Sequence, residues 1–216
     1  MKSELWHRGV LAAELVLVCA LVSACGGAFQ TAGNIAQGRQ ALFRGDYQTA
    51  LANFQSAEQT DPNYIFGTEM REGVLSYLGR AQYLTGQLPQ ARQTLQRALA
   101  LHRSDNLARL YLGLTLARLD DRKNGLQDIE RGLRGITHLL NYIINAFSYG
   151  FGQYWDPNHD IRKAVASTLA MVAQGNFSWE SLISSSEKIA MNMEQEPDRA
   201  RQQEEQQMEM QMDRGP

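Results

Sequence analysis

The chain has 216 residues, a formal net charge of −2 at pH 7 and 44% hydrophobic residues. This length suffices for one domain with its own core. The near-neutral charge predicts no general affinity for nucleic acid, because such binding needs a basic face. Cys19 and Cys25 are the two cysteines, and both lie near the N-terminus. We therefore expect a domain without disulfides, stabilised by helix packing.

The first 24 residues have the features of a secretory signal segment. A basic start precedes an apolar run from Val10 to Val22, and the small residues Ser23 and Ala24 directly precede Cys25. An apolar core with small residues at its end is typical of a cleaved signal and not of a folded domain. Cys19 follows the larger Val18, so Cys25 is the better candidate for the residue after the cut.

This segment resembles the signal and lipobox of bacterial lipoproteins, which are cut just before a cysteine. The resemblance implies lipidation of Cys25 followed by a short linker over residues 25–30. By the family's sorting rule, Gly26 in place of Asp favours the outer membrane, where several acyl chains anchor a protein firmly. A plainly secreted protein is one alternative. The other is an uncleaved anchor, although residues 10–22 are fewer than the roughly 20 that a spanning helix needs.

An internal repeat follows the signal segment. A Tyr-Leu-Gly triplet ends at Gly79 and again at Gly113, which gives the 34-residue period of a helix–turn–helix unit. Residues 72–105 also place Gly86 at the expected turn and Ala91 where two helices approach closely. This pattern resembles the tetratricopeptide repeat family, and the matches at turn positions disfavour chance amphipathic helices.

Three copies are predicted, over residues 31–64, 72–105 and 106–139. The third lacks the turn glycine and has Asp120 there. Extra residues around 64–71 are expected to lengthen a helix or to insert a loop. The predicted fold is therefore all-α, a tetratricopeptide helix–turn–helix solenoid of about three repeats with a C-terminal helical cap.

The C-terminal part, residues 140–193, is predicted to form that cap, because repeats alone expose apolar ends. Asp156 is expected to start a helix that ends at Gly175, and Ser178 to cap the next one. The aromatic segment 147–155 is interpreted as capping core, with a ligand-binding cage as the alternative. Residues 194–216, rich in Gln, Glu and Met, are predicted to be a frayed helix or a disordered tail.

The resemblance also implies a concave groove lined by the first helix of each repeat, where partner peptides lie. The chain lacks the Lys and Asn set with which some family members clamp a terminal carboxylate. Its arginines suit acidic groups, with plain solvation as the alternative. The candidate groove residues are Arg39, Leu42, Ser76, Arg80, Tyr83 and Arg118, and the apolar positions of the third copy (Leu110, Leu114, Ala117) are candidates for cover by the C-terminal helices.

No catalytic set is recognisable in the sequence. The histidines have no metal-ligand spacing, and His159 beside Asp160 is better interpreted as a solvated helix start. We therefore expect a non-enzymatic protein without cofactor or metal. The predicted function is a lipid-anchored periplasmic scaffold that binds other envelope proteins. The alternative is a small-molecule or metal-handling lipoprotein that uses the aromatic segment or the methionines of the tail.

Overall fold

The computed structural model describes residues 27–175 and 177–213, so Cys25 and the signal segment lie outside the described residues. The described part consists of helices and one small two-stranded sheet. In chain order the elements are α1 (27–43), α2 (Tyr47–Thr60), β1 (Ile65–Phe66), β2 (Glu72–Gly73), α3 (Val74–Leu84), α4 (Leu88–Leu101), α5 (Asn106–Arg118), α6 (Arg122–Ala146), a 3₁₀ helix (Phe151–Tyr154), α7 (Asp160–Ala173) and α8 (Trp179–Asp213).

The first six helices form three consecutive helix–turn–helix units, as predicted. The residue at each turn has a left-handed backbone, with φ of 75° at Gly45, 78° at Gly86 and 64° at Asp120. Glycine adopts this conformation freely, and Asp is one of the few other residues that tolerate it. The third unit therefore keeps the turn although its sequence has lost the glycine.

Close approach between paired helices explains the repeated glycine at the centre of each first helix. A Cβ at Gly79 would lie 2.5 Å from Leu95 Cγ, and a Cβ at Gly113 would lie 2.5 Å from the backbone nitrogen of Ile129. Gly125 and Gly132 on α6 meet the backbone of α5 in the same way. The third pair of helices is thus packed backbone against backbone, which compensates for the alanines that its sequence lacks.

The core consists of two clusters of buried side chains. The first joins α1, α2 and one face of α3, and the second runs from α3 to α8. Leu42 is only 3% exposed and belongs to the first cluster, next to Phe54 and Tyr77. The side chain of Leu42 therefore lies inside the first repeat and does not line a surface groove, unlike the expectation from the sequence.

The extra residues between the first two repeats form a loop. Ile65 pairs with Gly73 and Phe66 with Glu72 in a short antiparallel hairpin that precedes α3. Of the two alternatives expected at this insertion, the loop is therefore correct. The hairpin carries Phe66 and Glu72 to the inner side of the repeats, where both contribute to the site described below.

Two predicted boundaries do not coincide with the ends of helices. The limit between repeats and cap at residues 139/140 falls inside α6, which is continuous because its apolar face stays buried through Leu140 and Ile143. The linker predicted over residues 25–30 is helical from residue 27, the first residue that the structure describes.

The start of α7 also differs from the prediction. The helix begins at Asp160, and its N-cap is the exposed His159 with φ of 61°. Asp156 nevertheless accepts hydrogen bonds from the backbone nitrogens of Ile161 at 2.9 Å and Arg162 at 3.2 Å, so its carboxylate satisfies the first turn from outside the helix. The predicted end at Gly175 (φ 67°) and the Ser178 cap on Ser181 are confirmed.

The longest helix, α8, overturns part of the tail prediction. Residues 194–213 continue the helix begun at Trp179, and Glu194, Glu196, Pro197 and Ala200 are buried. The prediction of a disordered tail is therefore wrong for residues 194–200, because these side chains pack against the repeats and the cap. Beyond Ala200 the helix is largely solvated, and Met208, Met210 and Met212 are exposed.

The close contact at Gly113 gives a first prediction. We expect Gly113→Ala to lower the free energy of unfolding by roughly 1–3 kcal/mol, because the new methyl group meets backbone that cannot move aside. The control is Gly33→Ala on α1, where a Cβ would have no neighbour within 4 Å. That change should stabilise the protein by roughly 0.5–1 kcal/mol through helix propensity. Urea unfolding measures both, and equal effects would contradict the close-packing argument.

Candidate functional site

The inner face of the repeats is occupied by α8. The three arginines predicted to line the groove, one from each first helix, all pair with carboxylates of α8. Their partners are Glu187, Glu194 and Asp198, which are seven and four residues apart and therefore lie on one helical face. The arginines do meet acidic groups, and these acids belong to the same chain.

Glu194 is the centre of this arrangement. Arg39 Nε donates to Glu194 Oε1 at 2.8 Å, and Arg39 Nη2 donates to the Glu194 carbonyl at 2.9 Å and to Asp198 Oδ2 at 2.8 Å. Arg80 Nη1 bonds Glu194 Oε2, and Arg80 Nη2 donates to Glu72 Oε1 at 2.8 Å. One carboxylate of α8 thus joins the first helices of two repeats to the hairpin.

A second, more exposed pairing lies nearer the start of α8. The Tyr83 hydroxyl donates to Glu187 Oε1 at 2.5 Å, and Arg118 Nη2 donates to the same oxygen at 2.8 Å. The Arg118 guanidinium also stacks over the Tyr83 ring, 4.4 Å from its centroid. Burial and the hydrogen bond to Glu187 raise the pKa of Tyr83 far above its usual value, so its hydroxyl stays protonated and donates.

The buried charges around Arg80 do not balance. Arg39 and Arg80 are the buried cations, whereas Glu72, Asp105 and Glu194 are buried carboxylates, each at most 5% exposed. Asp105 caps α5 by accepting from the Ala108 backbone nitrogen at 2.8 Å, and it is hydrogen-bonded to Ser76. Burial and the nearby negative charge of Glu72 raise the pKa of Asp105 to about 6. Below about pH 6 a proton on Asp105 therefore removes the surplus negative charge, and above that pH the surplus remains.

The structure places the six predicted groove residues in four environments. Arg39 and Arg80 are buried in the ion network, Ser76 and Tyr83 are buried and hydrogen-bonded to acids, and Arg118 stays partly exposed. Leu42 lies in the core. The residues that sequence reasoning missed are Glu187, Glu194 and Asp198 of α8. Their common helical face is the one signal that could have found them.

Most of the groove is closed by apolar packing as well as by charge. Leu182, Ile189 and Met193 of α8 are at most 1% exposed. Burying side chains of this size contributes roughly 1.5–3 kcal/mol each, or on the order of 5–9 kcal/mol together as an upper estimate. This is comparable with the whole stability of a typical domain, about 5–15 kcal/mol. The part of α8 before Pro197 is therefore integral to the fold. Leu110 and Leu114 are fully buried, and Leu110 packs against Gly132 of α6.

The groove remains open at the first repeat. We call this opening the first-repeat cleft: it has a volume of about 570 Å³ between α1, the hairpin and the second half of α8. Phe43 and Phe66 provide apolar walls, and the Arg39 guanidinium lies over both rings at 5.3 and 5.5 Å. The charged side chains of the lining are Arg39, Arg199, Arg201 and one acid, Asp198. The cleft thus combines an aromatic surface with three arginines, each paired with an acid of the same chain: Arg39 with Glu194 and Asp198, Arg199 with Glu196, and Arg201 with Glu69.

Comparison with known proteins agrees with this architecture. The model of the tetratricopeptide repeat family matches residues 41–114, from the end of α1 into α5. The chain therefore contains tetratricopeptide repeats, and its fold is the predicted all-α helix–turn–helix solenoid with a C-terminal helical cap. Such repeats generally form protein-interaction surfaces and not enzymes. No curated protein sequence matches the chain.

Two further observations concern residues 27–175 and 177–213. None of the helices there is both long enough and apolar enough to cross a membrane. No group of three or more His, Cys, Asp or Glu side chains in these ranges is placed to hold a metal ion.

In the aromatic segment, Trp155 is 2% exposed and Tyr149 is fully exposed, so the segment is divided between core and surface.

The raised pKa of Asp105 predicts a pH-dependent stability. In the folded state the carboxyl binds its proton up to about pH 6, above its usual 3.8, so ionisation destabilises the fold as pH rises. Asp105→Asn removes this titration and keeps a good N-cap. We expect the stability of the variant relative to wild type to increase by roughly 1 kcal/mol between pH 5 and pH 7 in urea unfolding.

The matched control is Asp46→Asn. Asp46 is an exposed N-cap whose pKa is lowered by its hydrogen bonds to Thr49, so it is already ionised at pH 5. Its stability difference from wild type should not change between pH 5 and pH 7. A flat difference for Asp105→Asn would contradict the assignment of a strained buried carboxylate.

Proposed function

We propose that the protein is a non-enzymatic scaffold, anchored to the outer membrane through a lipid on Cys25 and facing the periplasm. The lipobox pattern that ends at Cys25 supports the anchor, and the tetratricopeptide repeats support binding of protein partners. The partners would be other envelope proteins, such as those that assemble outer-membrane proteins, pili or the cell wall.

The first-repeat cleft is the surface that carries this proposal. The rest of the inner face is filled by α8, whereas the cleft is accessible and has aromatic walls between arginines. An extended partner segment with apolar and acidic side chains fits this lining, because its apolar groups match the two rings and its carboxylates can replace the weak surface pair of Arg201 with Glu69. The exposed Gln40 lies 13 residues after the start of α1, or about 20 Å along the helix. A partner in the cleft would therefore be held close to the lipid.

The anchor is tested by Cys25→Ala. We expect loss of acyl labelling and release of the protein from the membrane fraction, because the chain's proposed attachment depends on this thiol. Cys19→Ala is the control and should leave labelling and fractionation unchanged. Retention of Cys25→Ala in membranes would favour an uncleaved anchor.

The cleft is tested by site-specific photo-cross-linking in intact envelopes. A benzoylphenylalanine at Gln40, in the cleft, should form adducts with an envelope protein under ultraviolet light. The same group at Gln55, an exposed glutamine of α2, is the matched control and should form none. Equal adducts at both positions, or adducts at Gln55 alone, would place the interaction elsewhere.

Charge at the cleft rim can be reversed without touching the buried network. Arg201→Glu changes a side chain that is 51% exposed and paired only at the surface with Glu69 and Thr68. It should reduce the Gln40 adduct several-fold. Arg97→Glu, which changes a similarly exposed pair with Glu58, is the control. Substitutions of Arg39 or Arg80 are unsuitable, because removing one partner of a buried ion pair costs about 3–5 kcal/mol.

A further inference from the structure

A second cavity lies on the other side of the hairpin, away from the proposed cleft. We call it the hairpin cavity: it has a volume of about 420 Å³ and lies between the hairpin, the start of α5, the middle of α6 and Met193 of α8. This volume is within the range of small-molecule sites. Its walls combine apolar and polar residues, and the apolar lining residues are Met70, Leu107, Ile136, Leu139, Tyr142 and Met193.

Two of the three buried carboxylates around Arg80 line this cavity. Glu72 is 2% exposed and Asp105 is 5% exposed. Glu72 Oε1 accepts from Arg80, whereas Glu72 Oε2 has no hydrogen-bond partner within the described part of the chain. A buried carboxylate oxygen without a partner is costly, and such groups in native structures call for an explanation.

The count of buried charges also indicates that a positive group is missing beside these carboxylates. The buried acids Glu72, Asp105 and Glu194 exceed the buried cations Arg39 and Arg80 by one charge. The other charged lining residues are Glu69, Arg71 and His138, which lie nearer the surface, and Glu69 is itself paired with Arg201. A positive group inside the cavity would supply the missing charge and a donor for the free oxygen.

We propose that the hairpin cavity binds a small organic cation, an ammonium or guanidinium group on an apolar body. The positive group would lie against Glu72 and Asp105, and the apolar body against Leu139 and Met193. A bare metal ion fits less well, because no group of three or more His, Cys, Asp or Glu side chains within the described residues is placed to hold one. The cation has two sources, a free amine or a lysine or arginine side chain of a polypeptide. This site is separate from the first-repeat cleft and does not depend on the proposed scaffold function.

The test uses phenethylammonium with the full-length protein in detergent micelles. Calorimetry at pH 7.5 should give saturable binding with a dissociation constant on the order of 0.1–1 mM, as expected for so small a ligand. The neutral analogue 2-phenylethanol should bind at least about tenfold more weakly, because it lacks the charge that pairs with the buried acids. Absence of saturable amine binding, or equal binding of the alcohol, would overturn the proposal.

Variants locate the site. Asp105→Asn removes the surplus charge, keeps the helix cap and should weaken amine binding about tenfold or more. Asp46→Asn makes the same chemical change at an exposed N-cap that is not part of the cavity lining, and it should leave binding within about twofold of wild type. Equal affinities for wild type and a folded Asp105→Asn would contradict the site.

A measurement on the unmodified protein keeps the proposal testable if Asp105→Asn does not fold. Amide chemical shifts should change on amine addition at Leu107, His138 and Met193, and stay unchanged at Gln40 and Phe43 of the cleft. Shift changes confined to the cleft would overturn the assignment.

A peptide with one central lysine distinguishes the two sources of the cation. Tighter binding than the free amine indicates a polypeptide side chain, and weaker binding indicates a free small molecule.

Discussion

The ion network around Glu194 is the interaction on which the rest of the structure depends. One carboxylate accepts from Arg39 of the first repeat and Arg80 of the second, and Arg80 reaches on to Glu72 of the hairpin. A buried ion pair contributes little net stability compared with apolar packing, but losing one partner is strongly destabilising. The network therefore does more to hold α8 in one register against the repeats than to strengthen the fold.

That register decides which surfaces are available to other molecules. With Glu194 in place, the apolar side chains of α8 before Pro197 are buried, and α8 packs on α5 and α6 of the third repeat and on the cap. Pro197 itself has no N–H to donate, and beyond Ala200 the helix buries little. The open surface is consequently confined to the first repeat, next to the proposed lipid anchor. The same arrangement leaves one buried acid in excess beside the hairpin cavity. Both candidate sites thus depend on how α8 packs against the repeats.

Several elements could be predicted from the sequence because they depend on local patterns. Gly79 and Gly113 mark close helix approach, Gly86 marks a turn, and the 34-residue period relates the copies. The Ser178 cap and the end of α7 at Gly175 are equally local. Where the signal was weaker the prediction erred: Asp156 lies four residues before the helix that it caps, and the polar composition of α8 suggested disorder although one of its faces is buried.

The sequence by itself determined the repeat units, the all-α class and the preference of the arginines for carboxylates. Helical periodicity, turn conformation and side-chain chemistry are properties of short segments. The tertiary structure alone decided which carboxylates those arginines meet. Arg39 and Glu194 are 155 residues apart in the chain. Their pairing follows from the packing of α8 against the repeats, which no local sequence pattern predicts. Burial decided the roles of two further residues, because exposure to water is a property of the assembled fold. Leu42 is a core residue, and the pKa of Asp105 is raised.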